Sequence, residues 1–191
     1  LYLDCTATDF PDTLEEQLEK SIIAVFESWD NDRAKSYRKI HDIPEDWGTA
    51  VTIQRMVFGN MGDDCATGVV FSRDPSTGEN IPTGEYLVNA QGEDVVAGIR
   101  TPLPLIDMKG WHSDVLDQLC MTLSTLEHHY KDMQDVEFTV EKGVLYILQT
   151  RAGKRSAKAS IVITHDLLSG GFITEEQARE RLSLDLLSKS M

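Results

Sequence analysis

The amino-acid sequence predicts an α+β fold, in which a largely antiparallel sheet is flanked by helices and followed by a short helical extension. The clearest element is a β-hairpin, because two runs rich in valine, leucine and isoleucine enclose a Lys-Gly pair between Asp135 and Arg151. Residues 49–58, 66–73 and 84–90 also have the composition of strands. Apolar side chains recur at helical spacing after Thr13 and after Trp111.

Capping patterns mark where several helices begin. Thr13 and Thr174 are each followed three residues later by Glu or Gln, which is the pattern of a capping box. We expect another helix over residues 154–168, ended by two glycines. The first helix carries an apolar stripe that we expect to form part of a core. The residues of this stripe are Leu14, Leu18, Ile22, Val25, Phe26 and Trp29.

Composition excludes several classes of partner and site. The chain has 191 residues, of which 18 are basic and 32 acidic, so nucleic acid and anionic membrane are poor partners. Cys5, Cys65 and Cys120 are widely spaced, which indicates neither a disulfide framework nor a zinc site and favours a reducing compartment. We expect a cytoplasmic protein, with an organelle as the alternative. Because the sequence starts at Leu1 without methionine, we also expect a piece of a longer chain.

The register of the hairpin decides which polar side chains share a face. A two-residue Lys-Gly loop pairs Glu137 with Leu148, whereas a three-residue loop ending at Gly143 pairs Asp135 with Gln149. The longer loop requires a residue in the left-handed conformation at its last position, which glycine supplies, so we predict that register. The side chains that it places on one face are Asp135, Glu137, Gln149 and Arg151.

This polar face has the chemistry of a site for a magnesium nucleotide. Asp135 and Glu137 lie one strand period apart and can hold Mg²⁺ while the ion keeps waters and phosphate oxygens. The guanidinium of Arg151 can bind the phosphates. The alternative is an edge strand with solvated acids and a surface ion pair.

Longer strings of residues resemble the pyruvate, phosphate dikinase family over nearly the whole chain. These strings are Asp46-Trp-Gly-Thr-Ala50, Val57-Phe-Gly-Asn60, Ala66-Thr-Gly68, Ser72-Arg-Asp-Pro-Ser-Thr-Gly78, Gly84-Glu-Tyr86, Asn89-Ala-Gln-Gly-Glu-Asp-Val-Val-Ala-Gly98, Arg100-Thr-Pro102, Asp132-Met-Gln-Asp-Val-Glu-Phe138 and Leu148-Gln-Thr-Arg151. The resemblance implies the carboxy-terminal part of an ATP-grasp nucleotide-binding domain in residues 1–153. Residues 154–191 then correspond to a helical linker toward a phosphohistidine domain.

The resemblance also implies an activity for the longer protein. ATP and inorganic phosphate phosphorylate a histidine, with release of AMP and pyrophosphate, and the phosphoryl group then passes to pyruvate to give phosphoenolpyruvate. The implied partners are the amino-terminal ATP-grasp half, the phosphohistidine and pyruvate-binding domains, and a second copy in a homodimer. This piece is expected to hold about half of the ATP, Mg²⁺ and phosphate site and to be inactive alone.

The resemblance assigns roles to individual residues. Catalytic roles around the terminal phosphate and the incoming phosphate are implied for Thr67, Glu93, Asp94 and Arg151. Contacts to the nucleotide are implied for Asp135, Glu137, Gln149 and Arg151, the first two also as Mg²⁺ ligands. None of the five histidines lies in the family's glycine-rich Thr/Ser-His-Ala context. Two alternatives stay open: a piece of phosphoenolpyruvate synthase, which uses water in place of phosphate, and a non-catalytic docking module of the same fold.

Overall fold

The computed structural model describes residues 10–98 and 100–182. The described residues form two compact units, one ending at Arg55 and the other beginning at Met56. The described residues exclude residues 1–9, which contain Cys5, at the start of the first predicted domain. They also exclude residues 183–191 at the end of the second. A domain boundary at residue 153 stays a prediction.

The first unit contains two helices with the expected caps. Helix α1 spans Leu14–Ser28, and the Glu16 N–H donates to the Thr13 hydroxyl at 3.2 Å. Helix α2 spans Asp32–Ile40. The buried Arg38 donates to the Trp29 carbonyl oxygen at 2.6 Å, and its guanidinium lies 4.1 Å from the centre of the Trp29 ring. This contact fixes the turn between the two helices.

The apolar stripe of α1 is not in a core, so that expectation was wrong. No residue of α1 is buried, and Leu14 and Phe26 are 78% and 49% exposed. Periodicity identified the helix correctly, but it cannot supply the element that would cover the stripe. Within the first unit, no described element does so.

The strand predicted over residues 49–58 is also absent. These residues form neither helix nor strand, and Ile53 and Met56 are exposed. Their β-branched composition suits a strand, but a strand requires a hydrogen-bonded neighbour. None of the described strands pairs with this segment.

The second unit is built on a five-stranded antiparallel sheet in the order β3-β2-β1-β4-β5. The strands are β1 Ala66–Phe71, β2 Thr83–Val88, β3 Leu103–Pro104, β4 Gln134–Glu141 and β5 Val144–Ala152. The helices are α3 Gly92–Ala97, α4 Met108–Trp111, α5 Ser113–Tyr130, α6 Ala157–Ser169 and α7 Glu175–Arg181. The predicted α+β class, with a mostly antiparallel sheet, is therefore confirmed.

One face of the sheet packs on α5 and forms the main core. Val136, Phe138 and Val140 of β4 alternate toward this core, where they meet apolar residues of α5. Gly68 of β1 is required there, because a Cβ at this position would lie 2.7 Å from the Phe138 ring. The α5 residues in the core are Val115, Leu119 and Leu123. This close packing fixes β4, an interior strand of the sheet, against α5.

A buried ionic network joins the end of β1 to α5 and α6. Arg73 donates from Nε to Glu127 and from Nη1 to Asp166, each at 2.8 Å. The Ser72 hydroxyl donates to the other Glu127 oxygen at 2.6 Å. Burial alone would lower the pKa of Arg73, but its bonds to Glu127 and Asp166 raise it above the ordinary value. The network therefore holds charged groups in the interior by pairing them.

Helix α6 packs on its own small core beside β1 and β4. Met133, Ile163 and Leu167 are buried together, with Phe71 packed against them. The α7 capping box is present, as predicted, since Thr174 and Gln177 exchange side-chain-to-backbone hydrogen bonds. Among the described helices, none has the length and apolar composition needed to cross a membrane.

Replacement of Glu127 by Gln is expected to lower the free energy of unfolding of the second unit by about 3 kcal/mol, because it leaves the buried Arg73 charge with one anionic partner fewer. Urea unfolding followed by Trp111 fluorescence, in a chain whose Trp29 and Trp47 are replaced by Phe, measures this loss. Glu180→Gln removes an exposed carboxylate of α7 and serves as the control. A loss below about 1 kcal/mol in Glu127→Gln would contradict a buried network.

Asp166 gives the second unit a defined acid sensitivity. Burial raises the pKa of Asp166, but hydrogen bonds from Arg73 and His165 outweigh it and place the pKa below its ordinary value. The pair therefore stabilises the fold above about pH 4 and loses this contribution as pH falls further. Asp166→Asn is expected to lower the free energy of unfolding by about 0.5–1 kcal/mol at neutral pH. This difference from wild type is expected to disappear between about pH 5 and pH 3, as measured by urea unfolding at each pH. A difference that stays constant over this range would contradict the assignment.

Candidate functional site

The hairpin closes through a two-residue loop, so the predicted three-residue loop was wrong. Glu141 pairs with Val144, and Lys142 and Gly143 between them have φ values of 52° and 74°. Two consecutive left-handed residues are the conformation of a type I′ turn, whose twist matches that of the strands. The left-handed conformation expected of Gly143 is confirmed.

A β-bulge corrects the register that this short loop sets. The pairing shifts by one residue between Glu137 and Phe138 of β4, so Leu148 of β5 is left unpaired. Beyond the bulge, Glu137 lies opposite Gln149 and Asp135 lies opposite Arg151. The predicted pairing of Asp135 with Gln149 was therefore wrong. The shared face of Asp135, Glu137, Gln149 and Arg151 is nevertheless present.

The bulge resolves a conflict between the two ends of β5. Leu145 packs against the core under α5, and Ile147 faces the same side of the sheet. Gln149 and Arg151 continue the same two-residue spacing as Leu145 and Ile147, but they carry polar groups. Strict alternation would place all four on one face, so one extra residue moves the polar pair to the opposite side.

Arg151 contacts both carboxylates of the polar face. Its Nε donates to Asp135 Oδ2 at 2.8 Å, and its Nη2 lies 3.6 Å from Glu137 Oε1. The hydrogen bond and charge of Asp135 raise the pKa of Arg151 above its ordinary value. The other Asp135 oxygen, Oδ1, is buried and has no hydrogen-bond partner. A buried carboxylate oxygen without a partner is unfavourable, so this atom points to a ligand that completes the site.

A cleft of about 490 Å³ borders this face at Glu137 and brings three of the predicted site residues together, whereas Asp135, Gln149 and Arg151 are not among its lining residues. Thr67 of β1, Glu93 of α3 and Glu137 of β4 line it. The Thr67 hydroxyl donates to the Phe138 carbonyl oxygen at 3.2 Å, so its proton is already bonded within the sheet. Asp94 does not line the cleft, because its carboxylate accepts the Gln91 N–H at 2.8 Å and closes the start of α3.

Reasoning from the sequence missed the apolar wall of this cleft. Val69, Val95 and Leu148 line it beside the carboxylates. The Ile147-Leu148 pair, where apolar residues become adjacent just before the polar end of β5, was the available signal for a bulge. Glu85 was also missed: Val69 of β1 pairs with Glu85 on one side and Glu137 on the other. The two glutamates therefore lie about 10 Å apart across the same face.

The donor set suits Mg²⁺ bound together with a substrate. Among the described residues, no three His, Cys, Asp or Glu side chains converge as a metal site. Asp135 and Glu137 alone would leave most positions of the ion to water and phosphate oxygens, which is the usual arrangement for Mg²⁺ with nucleotides. The unpartnered Asp135 oxygen fits this role.

A second cavity of about 370 Å³ lies between α5 and α6, and Arg73, Glu127, Asp166 and Cys120 are among its lining residues. Arg73 is paired with both Glu127 and Asp166. Burial raises the pKa of the Cys120 thiol, which keeps it protonated. This cavity therefore belongs to the structural network described above.

Comparison with known proteins gives the family. The sequence model for "Pyruvate phosphate dikinase, AMP/ATP-binding domain" matches residues 10–110 and 106–169, which is most of the chain. The chain belongs to this family. The resemblance noted from the sequence strings is thus confirmed, and the antiparallel α+β sheet is consistent with the ATP-grasp type of this domain.

Curated relatives agree with the family match. The pyruvate, phosphate dikinase of Clostridium symbiosum is 54% identical over 182 residues, which are 94% of this chain and 21% of that protein. The chloroplastic pyruvate, phosphate dikinase 1 of Arabidopsis thaliana is 51% identical over 93% of this chain and 18% of its own length. The Rhizobium meliloti pyruvate, phosphate dikinase is 50% identical over 93% of this chain and 22% of its own. The chain therefore spans about a fifth of these relatives.

The hairpin turn can be tested by comparing two glycines that both have open space around them. Gly143→Ala is expected to cost about 1 kcal/mol or more, because alanine resists the left-handed conformation and no neighbour lies closer than 3.9 Å. Gly92→Ala, in the first turn of α3 with nothing within 4 Å, is expected to be neutral or stabilising. Thermal unfolding of both variants measures the difference. Equal effects would contradict a two-residue left-handed turn.

Proposed function

We propose that this chain is part of a pyruvate, phosphate dikinase and forms one wall of its site for ATP, Mg²⁺ and inorganic phosphate. The observation that carries the proposal is the polar face of β4 and β5, where Asp135, Glu137, Gln149 and Arg151 lie together and one buried carboxylate oxygen lacks a partner. Family membership supports the same role, since the matching domain is described as AMP/ATP-binding.

Each residue of the face has a role that follows from its position. Asp135 and Glu137 hold Mg²⁺, which when bound neutralises phosphate charge and orients the phosphate chain. Gln149 lies opposite Glu137 and is exposed, so its amide N–H groups are free to donate to phosphate oxygens. The guanidinium of Arg151 binds two phosphate oxygens in a fork.

The cleft supplies the surroundings for these polar groups. Val69, Val95 and Leu148 form an apolar wall that limits the access of water to the phosphates. Glu93, at the start of α3, and Thr67, in the sheet, stand at the side where the incoming phosphate would be received. We include Asp94 as a positioning residue, because its hydrogen bond to Gln91 fixes the start of α3 beside Glu93.

The overall reaction requires more protein than this chain. The relatives described above are several times longer and are named dikinases, so we propose inorganic phosphate, rather than water, as the second acceptor. The remaining ATP-grasp half, the phosphohistidine domain and the pyruvate-binding domain are proposed to lie in the rest of the polypeptide. Residues 154–191 are proposed to lead toward the phosphohistidine domain, in a homodimeric and cytoplasmic enzyme. The isolated chain is then expected to be inactive in the complete reaction.

The proposal predicts that Asp135→Asn and Glu137→Gln each weaken binding of a magnesium complex of a non-hydrolysable ATP analogue by about 10- to 100-fold. Each variant removes one charged ligand worth about 1.5–3 kcal/mol. Isothermal titration calorimetry on the 191-residue chain measures the dissociation constants. Asp117→Asn, on an exposed position of α5, is the matched control and should bind like wild type.

Equal binding by wild type and both carboxylate variants would overturn the assignment of this face and favour a non-catalytic docking module. If wild type itself does not bind, the titration is repeated on a chain extended at its amino terminus. Failure of the longer chain as well would reject the nucleotide site.

A further inference from the structure

We propose that Arg151 occupies the metal position between Asp135 and Glu137 while the site is empty, and that a magnesium nucleotide must displace it. Arg151 thereby couples metal binding to phosphate binding, because the guanidinium released by the metal is the group that then binds phosphate. This inference rests on the proposed function of the face. It adds to that function a competition between Arg151 and the metal ion for the two carboxylates.

The geometry places the guanidinium between the two carboxylates. Arg151 Nε lies 2.8 Å from Asp135 Oδ2, and Nη2 lies 3.6 Å from Glu137 Oε1. One cationic group thus bridges one oxygen of each acid. A metal ion shared by the same two carboxylates would occupy the space between them that the guanidinium now fills.

The guanidinium and the metal exclude each other for reasons of space and charge. Mg²⁺ binds oxygen ligands at about 2.0–2.1 Å and completes an octahedron with further oxygens, which would need the space beside the carboxylates that the guanidinium fills. Two cations a few ångströms apart also repel each other strongly at a partly buried site. Asp135 is nearly buried, with its side chain only 10% exposed, so water screens this repulsion poorly there.

Arg151 is able to leave, whereas Asp135 is not. The Arg151 side chain is 54% exposed, and among the described residues it pairs with the two carboxylates of Asp135 and Glu137. Asp135 is fixed by the central strand and keeps Oδ1 without a hydrogen bond even when Arg151 is in place. The arginine therefore pairs with only one of the two Asp135 oxygens, so the carboxylate is incompletely satisfied while Arg151 is in place. Its departure costs one exposed ion pair, which phosphate contacts replace.

This arrangement predicts effects of opposite sign on two binding constants when the Arg151 charge is removed. Arg151→Gln should bind Mn²⁺ alone about two- to fivefold more tightly than wild type, because the competing cation is gone. The same variant should bind the manganese complex of a non-hydrolysable ATP analogue about tenfold more weakly, because the phosphate contact is gone. Mn²⁺ is the probe because its electron paramagnetic resonance signal reports free ion directly, with and without nucleotide.

Lys142→Gln is the matched control. It removes one positive charge from the exposed tip of the same hairpin and leaves both carboxylates and Arg151 unchanged. Tighter metal binding in Arg151→Gln but not in Lys142→Gln supports the proposal. Equal tightening in both variants would show a general charge effect and overturn it.

The remaining outcomes separate this inference from the proposed function. If Mn²⁺ binding requires Asp135 and Glu137 but is unchanged or weaker in Arg151→Gln, the competition is rejected and the metal site stands. If neither wild type nor Arg151→Gln binds Mn²⁺ in a way that depends on Asp135 and Glu137, the metal assignment fails and the competition fails with it.

Discussion

The pairing of β4 with β5 beyond the Leu148 bulge is the constraint on which the candidate site depends. Without the extra residue, the two-residue turn would set Glu137 opposite Leu148 and place Gln149 and Arg151 on the core face. With it, β5 serves two surfaces: its first half packs against the helix layer, and its second half carries polar groups. The bulge thus allows a nine-residue edge strand to stabilise a core and complete a site.

The strand next to the bulge is held firmly, which gives the site its precision. Phe138 lies in the core against Gly68, so the next residues of β4 on either side have little freedom. The network of Ser72, Arg73 and Glu127 fixes the neighbouring end of β1 by buried hydrogen bonds. Carboxylates carried by a rigid central strand keep their spacing, whereas arginine on the exposed edge strand is free to move. The carboxylates are therefore held in fixed positions by β4, whereas the arginine on β5 is able to change its contacts.

Much of this could be predicted from the sequence, where the signals are local. The caps at Thr13 and Thr174, the hairpin, and the grouping of Asp135 with Arg151 depend on neighbours along the chain or across one turn. The failures depend on partners that a local pattern does not show. Within the part of the chain that the structure describes, residues 49–58 have strand composition but no pairing strand, and the α1 stripe has helical periodicity but no residue of it is buried. The exact register was missed because strict alternation of side chains does not allow for an unpaired residue. The switch from apolar to polar residues around Leu148 is recognisable as a bulge only once β5 is known to contribute to both faces of the sheet.

The charge of the face decides how the proposed metal and nucleotide would depend on each other. Two carboxylates oppose one guanidinium, and Glu93 adds a further acid to the cleft that Glu137 lines. Such a surface repels the phosphate chain of a nucleotide, and the strongly acidic chain as a whole offers no compensating field. Under the proposed function, a divalent cation on Asp135 and Glu137 would reverse the local sign, and the proposed displacement of Arg151 would free a second cation for the phosphates. The acidic pair would then become an anion site only with the metal bound, so that recognition of the nucleotide and recognition of its metal would be one event.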